Sequence, residues 1–281
     1  MISLEAHAKI NLSLDVLGKR DDGYHTLQMI MQTIQLHDTI SVYEIPAGVE
    51  IKCEAPYVPN NSSNIAYKAA ELILQKYGIK SGVRIEIDKQ IPVAAGLAGG
   101  STDAAAVLKG INSIFSLGVE EAELRQLGKT IGADVPYCIM GGTALAEGIG
   151  DELTRLASPG KINLLLVKPR LGVSTAWVYK NFRLDKVNER PDTRLLVSAI
   201  EAGDIRTLAT NMKNVLESVT LQKYPVIENI KKQLIKLGAL GSMMSGSGPT
   251  VFGIFEDFEK AQYALKKLMY SRYDCILTQT V

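Results

Sequence analysis

The chain has 281 residues, 31 Lys and Arg against 30 Asp and Glu, a formal net charge of +1, and 46% hydrophobic residues. These values exclude fibrous, disordered and strongly polyanion-binding classes, so any phosphate recognition has to be local. Length allows one large domain or two of about 140 residues, and folding buries about 73% of the unfolded surface, so no disulfide or metal staple is needed. Cys53, Cys138 and Cys275 make an odd count without CxxC spacing, which argues against a disulfide framework or structural zinc and for a reducing compartment. Cys138 reads either as a reactive thiol or as an inert buried cysteine. Glu5 and Lys9 interrupt the opening MISLEAHAKI, and no 18-residue apolar run follows, so the expectation is a cytoplasmic enzyme or binding protein.

Residues 2 to 16 alternate apolar and polar side chains without a break, which predicts a half-buried strand. Lys9 and Asn11 then project from its polar face about 7 Å apart; taken alone, Lys9 reads as a solvated surface residue. The turn of Asp22, Gly23, Tyr24 and His25 is either a plain surface turn or an aromatic ring and an imidazole placed to hold a planar heterocycle. His7 and His37 have no carboxylate cluster beside them in the sequence, so no metal site is expected and neither has an assigned role. Further strands are expected around Ile40 to Glu44, Val49 to Cys53 and Val83 to Ile87. Helical spacing begins at Ile65, with Asn64 or Ser63 as its cap, and recurs over 104–115 and 124–131. A strand follows at 162–167, then three or four helices including 195–201, 205–216 and 226–237. The chain closes on strand TVFGIF, a helix over 258–269 and strand CILTQT. The order predicts an α+β protein with a boundary in the SPGK stretch near 157–161.

The informative segment is DKQIPVAAGLAGGSTDAAAVLKG. Ala94 to Gly100 leave the backbone nearly bare, and Ser101, Thr102 and Asp103 then open an alanine-rich helix. Converging N–H groups and a helix N-terminus suit a phosphate, and Ser101 or Thr102 offers a hydroxyl to magnesium. The spacing fits neither a Walker A loop nor a Rossmann fingerprint. Close helix-to-sheet packing is the plainer explanation. A second bare segment, Ser245 to Gly248, suggests a ligand clamped from two sides. Asp134, in GADVPYCIMGG, is either a turn or capping residue or a carboxylate with chemical work in an apolar setting.

Taken in order, AKINLSLDVLGKRDDGYH, IPVAAGLAGGSTDAAA, GADVPYCIMGGTALAEGIGDEL and SGSGPTVFGIF resemble the GHMP kinases, named for galactokinase, homoserine, mevalonate and phosphomevalonate kinases, over nearly the whole chain. AKINL with DGYH is the specific part and is most similar to the branch acting on a cytidylated methylerythritol; the glycine loops are common to the superfamily. The resemblance implies a two-domain fold, an N-terminal α+β domain over 1–157 and a ferredoxin-like C-terminal domain over 158–281, with the active site in the cleft between them. It implies ATP-dependent phosphorylation of the 2-hydroxyl of a cytidine diphosphate-linked methylerythritol in non-mevalonate isoprenoid precursor synthesis, with Mg²⁺. Lys9 and Asp134 take the catalytic positions. Asn11 orients the substrate, Tyr24 stacks on the cytosine, and His25 bonds its edge. Thr175 and Tyr179 supply the second stacking position, for which Trp177 and Phe182 compete. The loop of Ala95, Gly96, Leu97, Ala98, Gly99, Gly100, Ser101 and Thr102 wraps the ATP phosphates, with Asn64 and Lys89 near the nucleotide. The partners implied are small molecules, with no nucleic acid and no membrane, for a monomer or homodimer. GLAGGST departs from the GLGGGSS of many relatives at two positions: Ala98 adds one methyl, and Thr102 replaces a serine but keeps its hydroxyl. The alternatives are another GHMP kinase with a different acceptor, a catalytically silent nucleotide-binding homologue, and a generic α+β domain with packing glycines.

Overall fold

Two long paired strands set the plan of the chain. The computed structural model describes residues 1–269 and 271–281. β1 (Ile2–Lys19) and β2 (His25–Ile45) are joined through the DGYH turn. Two compact units share them: one comprises Met1–Ala8, Leu36–Val93 and Ala98–Gly141, the other Lys9–Gln35, Ala94–Leu97 and Gly142–Val281. The family-domain boundary expected at 157/158 is a single point on the chain, whereas these compact units interleave along it.

In the first unit, the second half of β2 runs antiparallel to β4 (Gly82–Asp88), with Val42 opposite Ile85, and β3 (Val49–Cys53) lies parallel to β4. The period-two pattern put Ile40, Val42, Ile85 and Ile87 on one face, and they are buried. Against them pack α1 (Ile65–Lys76), α2 (Gly99–Ile114), α3 (Glu121–Ile131) and α4 (Val135–Met140). Ala66, Ala69 and Ala70 on α1 and Ala104 and Ala105 on α2 are buried, and such short side chains let two helices approach closely. Ile73, Val107 and Ile111 complete this core at 0% exposure, each contributing about 1.5–3 kcal/mol by leaving water.

In the second unit, the first half of β2 pairs antiparallel with β5 (Thr143–Glu147), which pairs with β6 (Glu152–Arg155). A separate antiparallel sheet has the order β10-β7-β9-β8, formed by β7 (Asn163–Pro169), β8 (Gly241–Met244), β9 (Val251–Phe255) and β10 (Tyr273–Gln279). With α9 (Pro225–Lys236) before β8 and α10 (Phe258–Leu268) before β10, this is the expected ferredoxin-like split βαβ. The connection from β7 to α9 adds α5 (Thr175–Asn181), α6 (Thr193–Glu201), α7 (Ile205–Asn211) and α8 (Glu217–Lys223). Among the described residues, no helix is long and apolar enough to cross a membrane.

Three expectations are corrected. β1 is half-buried only in its first residues: from Lys9 on, the polar face is covered, with Lys9, Asn11, Ser13 and Asp15 at most 5% exposed. From Lys9 onward other chain segments cover that face, since Leu14 N donates to Lys213 O, Val215 N donates to Leu14 O, and Arg190 pairs with Asp15. For the same reason, the helix expected over 205–216 stops at Asn211, and Lys213 to Val215 extend along β1 instead. Finally, α2 starts at Gly99, so Ser101 to Asp103 lie inside its first turns rather than ahead of it.

Candidate active site

The second unit places Lys9 and Asn11 in contact. Lys9 Nζ donates to Asn11 Oδ1 at 2.7 Å, and Asn11 Nδ2 rests on Met29 Sδ at 3.3 Å. The solvated reading of Lys9 fails, because a buried ammonium requires such partners to offset lost hydration. Lys9 N also donates to Leu97 O at 3.1 Å, tying β1 to the first glycine loop. That loop lies against the second. A Cβ on Gly96 would stand 2.4 Å from Ser245 O and 3.0 Å from Gly248 O. Ser245 Oγ donates to Gly96 O at 3.0 Å, and Thr250 N donates to Ala95 O at 3.4 Å. Asn214 Nδ2 donates to Met244 O at 2.9 Å and Gly246 O at 2.8 Å, holding the second loop in place. The two bare segments, expected to clamp a ligand from two sides, brace each other through main-chain contacts and the Ser245 hydroxyl.

Positive φ recurs at Ala94, Gly96 and Ala98, at 51°, 76° and 58°. Such alternation favours N–H groups that converge on an anion. Ala98 is the N-cap of α2 and makes no side-chain cap hydrogen bond, so the first-turn N–H groups remain available to a phosphate. Its methyl also sits at a positive φ that glycine adopts more readily, a small strain. Thr102 Oγ1 donates to His7 O at 2.8 Å and is buried, whereas Ser101 is half-buried.

In the first unit, beside the start of α2, Lys89 bridges two acids. Its ammonium donates to Asp38 and, at 2.8 Å, to Asp103 Oδ2; the three side chains are at most 7% exposed. Asp38 Oδ1 also accepts Gln90 N at 2.6 Å and Ile91 N at 2.8 Å. A Cβ on Gly99 would lie 2.9 Å from Lys89 Nζ, so bare backbone at α2's start admits this lysine. Two carboxyls share one cation. Burial, aided by neighbouring Asp38 and opposed by Lys89, pushes Asp103 up to about 8, and its buried Oδ1 has no hydrogen-bond partner. Burial pulls the Lys89 ammonium down, but Asp103 and Asp38 together hold it above its usual value. Lys89 therefore has a structural partner set, and so does Asn64, whose Oδ1 caps α1 at Ala66 N and whose Nδ2 donates to Pro59 O.

Asp134 is half-buried at the N-cap of α4, where its main-chain carbonyl accepts Cys138 N at 3.0 Å. Its carboxylate makes no cap hydrogen bond, which removes the capping explanation. Cys138 is half-buried on the same short helix. In the second unit, the His25 ring lies 5.3 Å from Tyr179 at 33° and meets buried Phe182 edge-on at 6.3 Å. Burial, then Lys19, lowers the His25 pKa and favours neutral imidazole. Tyr24 is 61% exposed at the turn. Trp177 instead carries Lys223 Nζ 3.7 Å from its ring centroid, so it is Tyr179 that joins His25. Thr175 and Ser247 hydroxyls lie 2.8 Å apart, linking α5 to the second glycine loop.

Models of the GHMP kinases N terminal domain and GHMP kinases C terminal match residues 64–142 and 196–274. A 4-diphosphocytidyl-2-C-methyl-D-erythritol kinase of Acetivibrio thermocellus is 59% identical over 280 residues, covering 100% of this chain and 99% of that one. The chain belongs to the GHMP kinases. A crystal structure of 4-(cytidine 5'-diphospho)-2C-methyl-D-erythritol kinase superposes with a TM-score of 0.87 at 32% identity, covering 99% of each chain. Homoserine kinase from Cytophaga hutchinsonii shares the fold, with a TM-score of 0.75 at 18% identity over 99% of this chain and 94% of that one.

In this GHMP kinase, Asp38 and Asn214 are the site-supporting residues that sequence reasoning missed. Asp38 sits in a strand pattern beside His37, with no local signal that it will meet Lys89 and Asp103. Asn214 fell inside a helix expected to run through it.

Gly96→Ala is expected to lower unfolding free energy by about 2 kcal/mol or more, through its positive φ and overlap with Ser245 O. Urea unfolding measures this, and unchanged stability would remove the brace. Asp103 gives a pH signature. Its carboxyl goes from an ordinary 3.8 to about 8 on folding, so its stabilising preference is complete below pH 3.8 and is lost as pH rises toward 8. Thermal unfolding between pH 5 and 8 should fall less in Asp103→Asn than in the unaltered protein; parallel curves would contradict the shared-cation arrangement.

Proposed function

We propose that this GHMP kinase transfers the γ-phosphoryl group of ATP to the 2-hydroxyl of 4-diphosphocytidyl-2-C-methyl-D-erythritol, giving the 2-phosphate and ADP in non-mevalonate isoprenoid precursor synthesis. The observation that carries this reading is 59% identity, over essentially the whole chain, with a kinase of that name. We place the reaction in the cytoplasm, carried out by a monomer or homodimer with family domains 1–157 and 158–281.

Phosphoryl transfer needs positioning and charge stabilisation more than covalent chemistry. In the proposed mechanism, Ala95 to Thr102 cradle the polyphosphate with main-chain N–H groups, kept in shape by Gly96 against Ser245 to Gly248. Asp134 accepts the proton of the 2-hydroxyl as its oxygen bonds to phosphorus and the bond to the β-phosphate oxygen breaks. Lys9 supplies positive charge to the transferring group, its ammonium oriented by Asn11. Asn11 also orients the acceptor, and Thr175 assists at its side of the site. Tyr24 and Tyr179 stack on cytosine while neutral His25 bonds its edge, supported by the proximity of His25 and Tyr179. Asn64 and Lys89 act near the nucleotide indirectly, by fixing the start of α1 and the floor of the loop.

The donor chemistry at the start of α2 fits Mg²⁺. Thr102 has committed its proton to His7 O, whereas the half-buried Ser101 hydroxyl is the free oxygen of the pair, and hard oxygen donors suit this ion alongside phosphate oxygens. Ser101 would hold Mg²⁺, which supplies neutralisation of phosphate charge.

Purified protein with ATP and Mg²⁺ is expected to release ADP on the cytidylated methylerythritol and not on homoserine, mevalonate or uncytidylated methylerythritol 4-phosphate. Turnover on one of those acceptors instead would reassign the substrate within the superfamily. Asp134→Asn should retain the circular dichroism of the unaltered protein and lose at least about 10²-fold in kcat. Unchanged kcat would remove Asp134 from proton transfer.

A further inference from the structure

We propose that Glu5, His7 and His37 form a binding site for a divalent transition metal of the zinc class, separate from the nucleotide's Mg²⁺. The sequence offers two histidines with no acidic cluster, and the fold supplies what is missing. Glu5 and His7, two residues apart on β1, fall on one side of the strand, and β2 brings His37 to them. His7 Nε2 is 3.2 Å from Glu5 Oε2, and His37 Nε2 is 3.8 Å from Glu5 Oε1. One donor atom from each residue lies within 4.8 Å of the others.

Those spacings are close to what the ion requires. Bonds of 2.0–2.2 Å in a tetrahedron separate neighbouring donors by about 3.3 Å; the His7 Nε2 and Glu5 Oε2 pair already has that spacing, and His37 Nε2, 3.8 Å from the other carboxylate oxygen, needs the larger side-chain adjustment. The imidazoles meet edge-on, centroids 5.2 Å apart at 68°, an orientation in which two rings can aim nitrogens at one point without stacking. Two imidazoles and one carboxylate suit zinc and its neighbours, while Mg²⁺ and Ca²⁺ prefer all-oxygen sets. Side-chain exposures of 61% for Glu5, 27% for His7 and 34% for His37 give an ion access and leave a fourth position to water.

The placement gives such an ion a structural consequence. It would join β1 to β2 at His7, whose carbonyl accepts the Thr102 hydroxyl at the start of α2. The test reads the metal itself.

The full-length protein, stripped with chelator and free of nucleotide, is titrated with Zn²⁺ against a chromophoric chelator and with Co²⁺ by visible absorption. The expected result is one equivalent of Zn²⁺ bound with a Kd below about 10 μM and visible Co²⁺ ligand-field bands. His37→Ala and Glu5→Gln should each weaken binding by at least about 10-fold and abolish the bands, while keeping the metal-free protein's unfolding midpoint. Zn²⁺ should raise the melting temperature of the unaltered chain by about 2 °C or more and leave that of both variants unmoved. Weaker binding than this, or equal affinity in the unaltered protein and the folded variants, with thiols holding the metal, would overturn the proposal.

Discussion

The approach of Gly96 to Ser245 and Gly248 is the contact on which the rest depends. Two carbonyl oxygens occupy the space a side chain at position 96 would need. The Ser245 hydroxyl and the Thr250 N–H then fasten the same stretch to the second loop. A phosphate-binding backbone has to hold its N–H groups still against charge repulsion and thermal motion, and loops seldom do so unaided. Here the C-terminal half of the chain supplies the support, and Asn214 in turn supports that half.

Buried charge follows from the same economy of space. The polar face of β1 is covered, so Lys9 relies on Asn11, and Asp15 on Arg190. Under the start of α2, Lys89 sits between two acids, one of which keeps a buried oxygen without a partner. Removing one member of such a set leaves an uncompensated charge, which is costlier than losing an exposed pair. Lys89 and its two acids hold the start of α2 in shape.

Much of this was legible in the residues themselves. Strict alternation located β1, and helical spacing located α1, α3, α9 and α10 to within a few residues. The ordered motifs gave the family and its ferredoxin-like sheet. What escaped has physical causes. β5, β6, β8, α4, α5 and α8 are four to seven residues long, too short to establish a period. Alternation states which face is polar but not what covers it, so Lys9 looked solvated. Long-range partners such as Asp38 for Lys89, or Glu5 for His37, lie 51 and 32 positions apart, and only the fold brings them together. That the rings of Tyr179 and Phe182, rather than Trp177, lie beside His25 is likewise set by the fold and not by spacing.

The central claim is chemical: a loop shaped by backbone contact delivers a terminal phosphoryl group to a hydroxyl whose proton goes to Asp134. A crystal structure with a non-hydrolysable ATP analogue and the cytidylated acceptor tests it most directly. The expected result places the polyphosphate along Ala95 to Thr102 and the acceptor oxygen about 3–3.5 Å from the γ-phosphorus, in line. The same hydroxyl should be about 2.6–3.2 Å from the Asp134 carboxylate. A nucleotide seated away from that loop, or a hydroxyl beyond the reach of Asp134, would contradict the account.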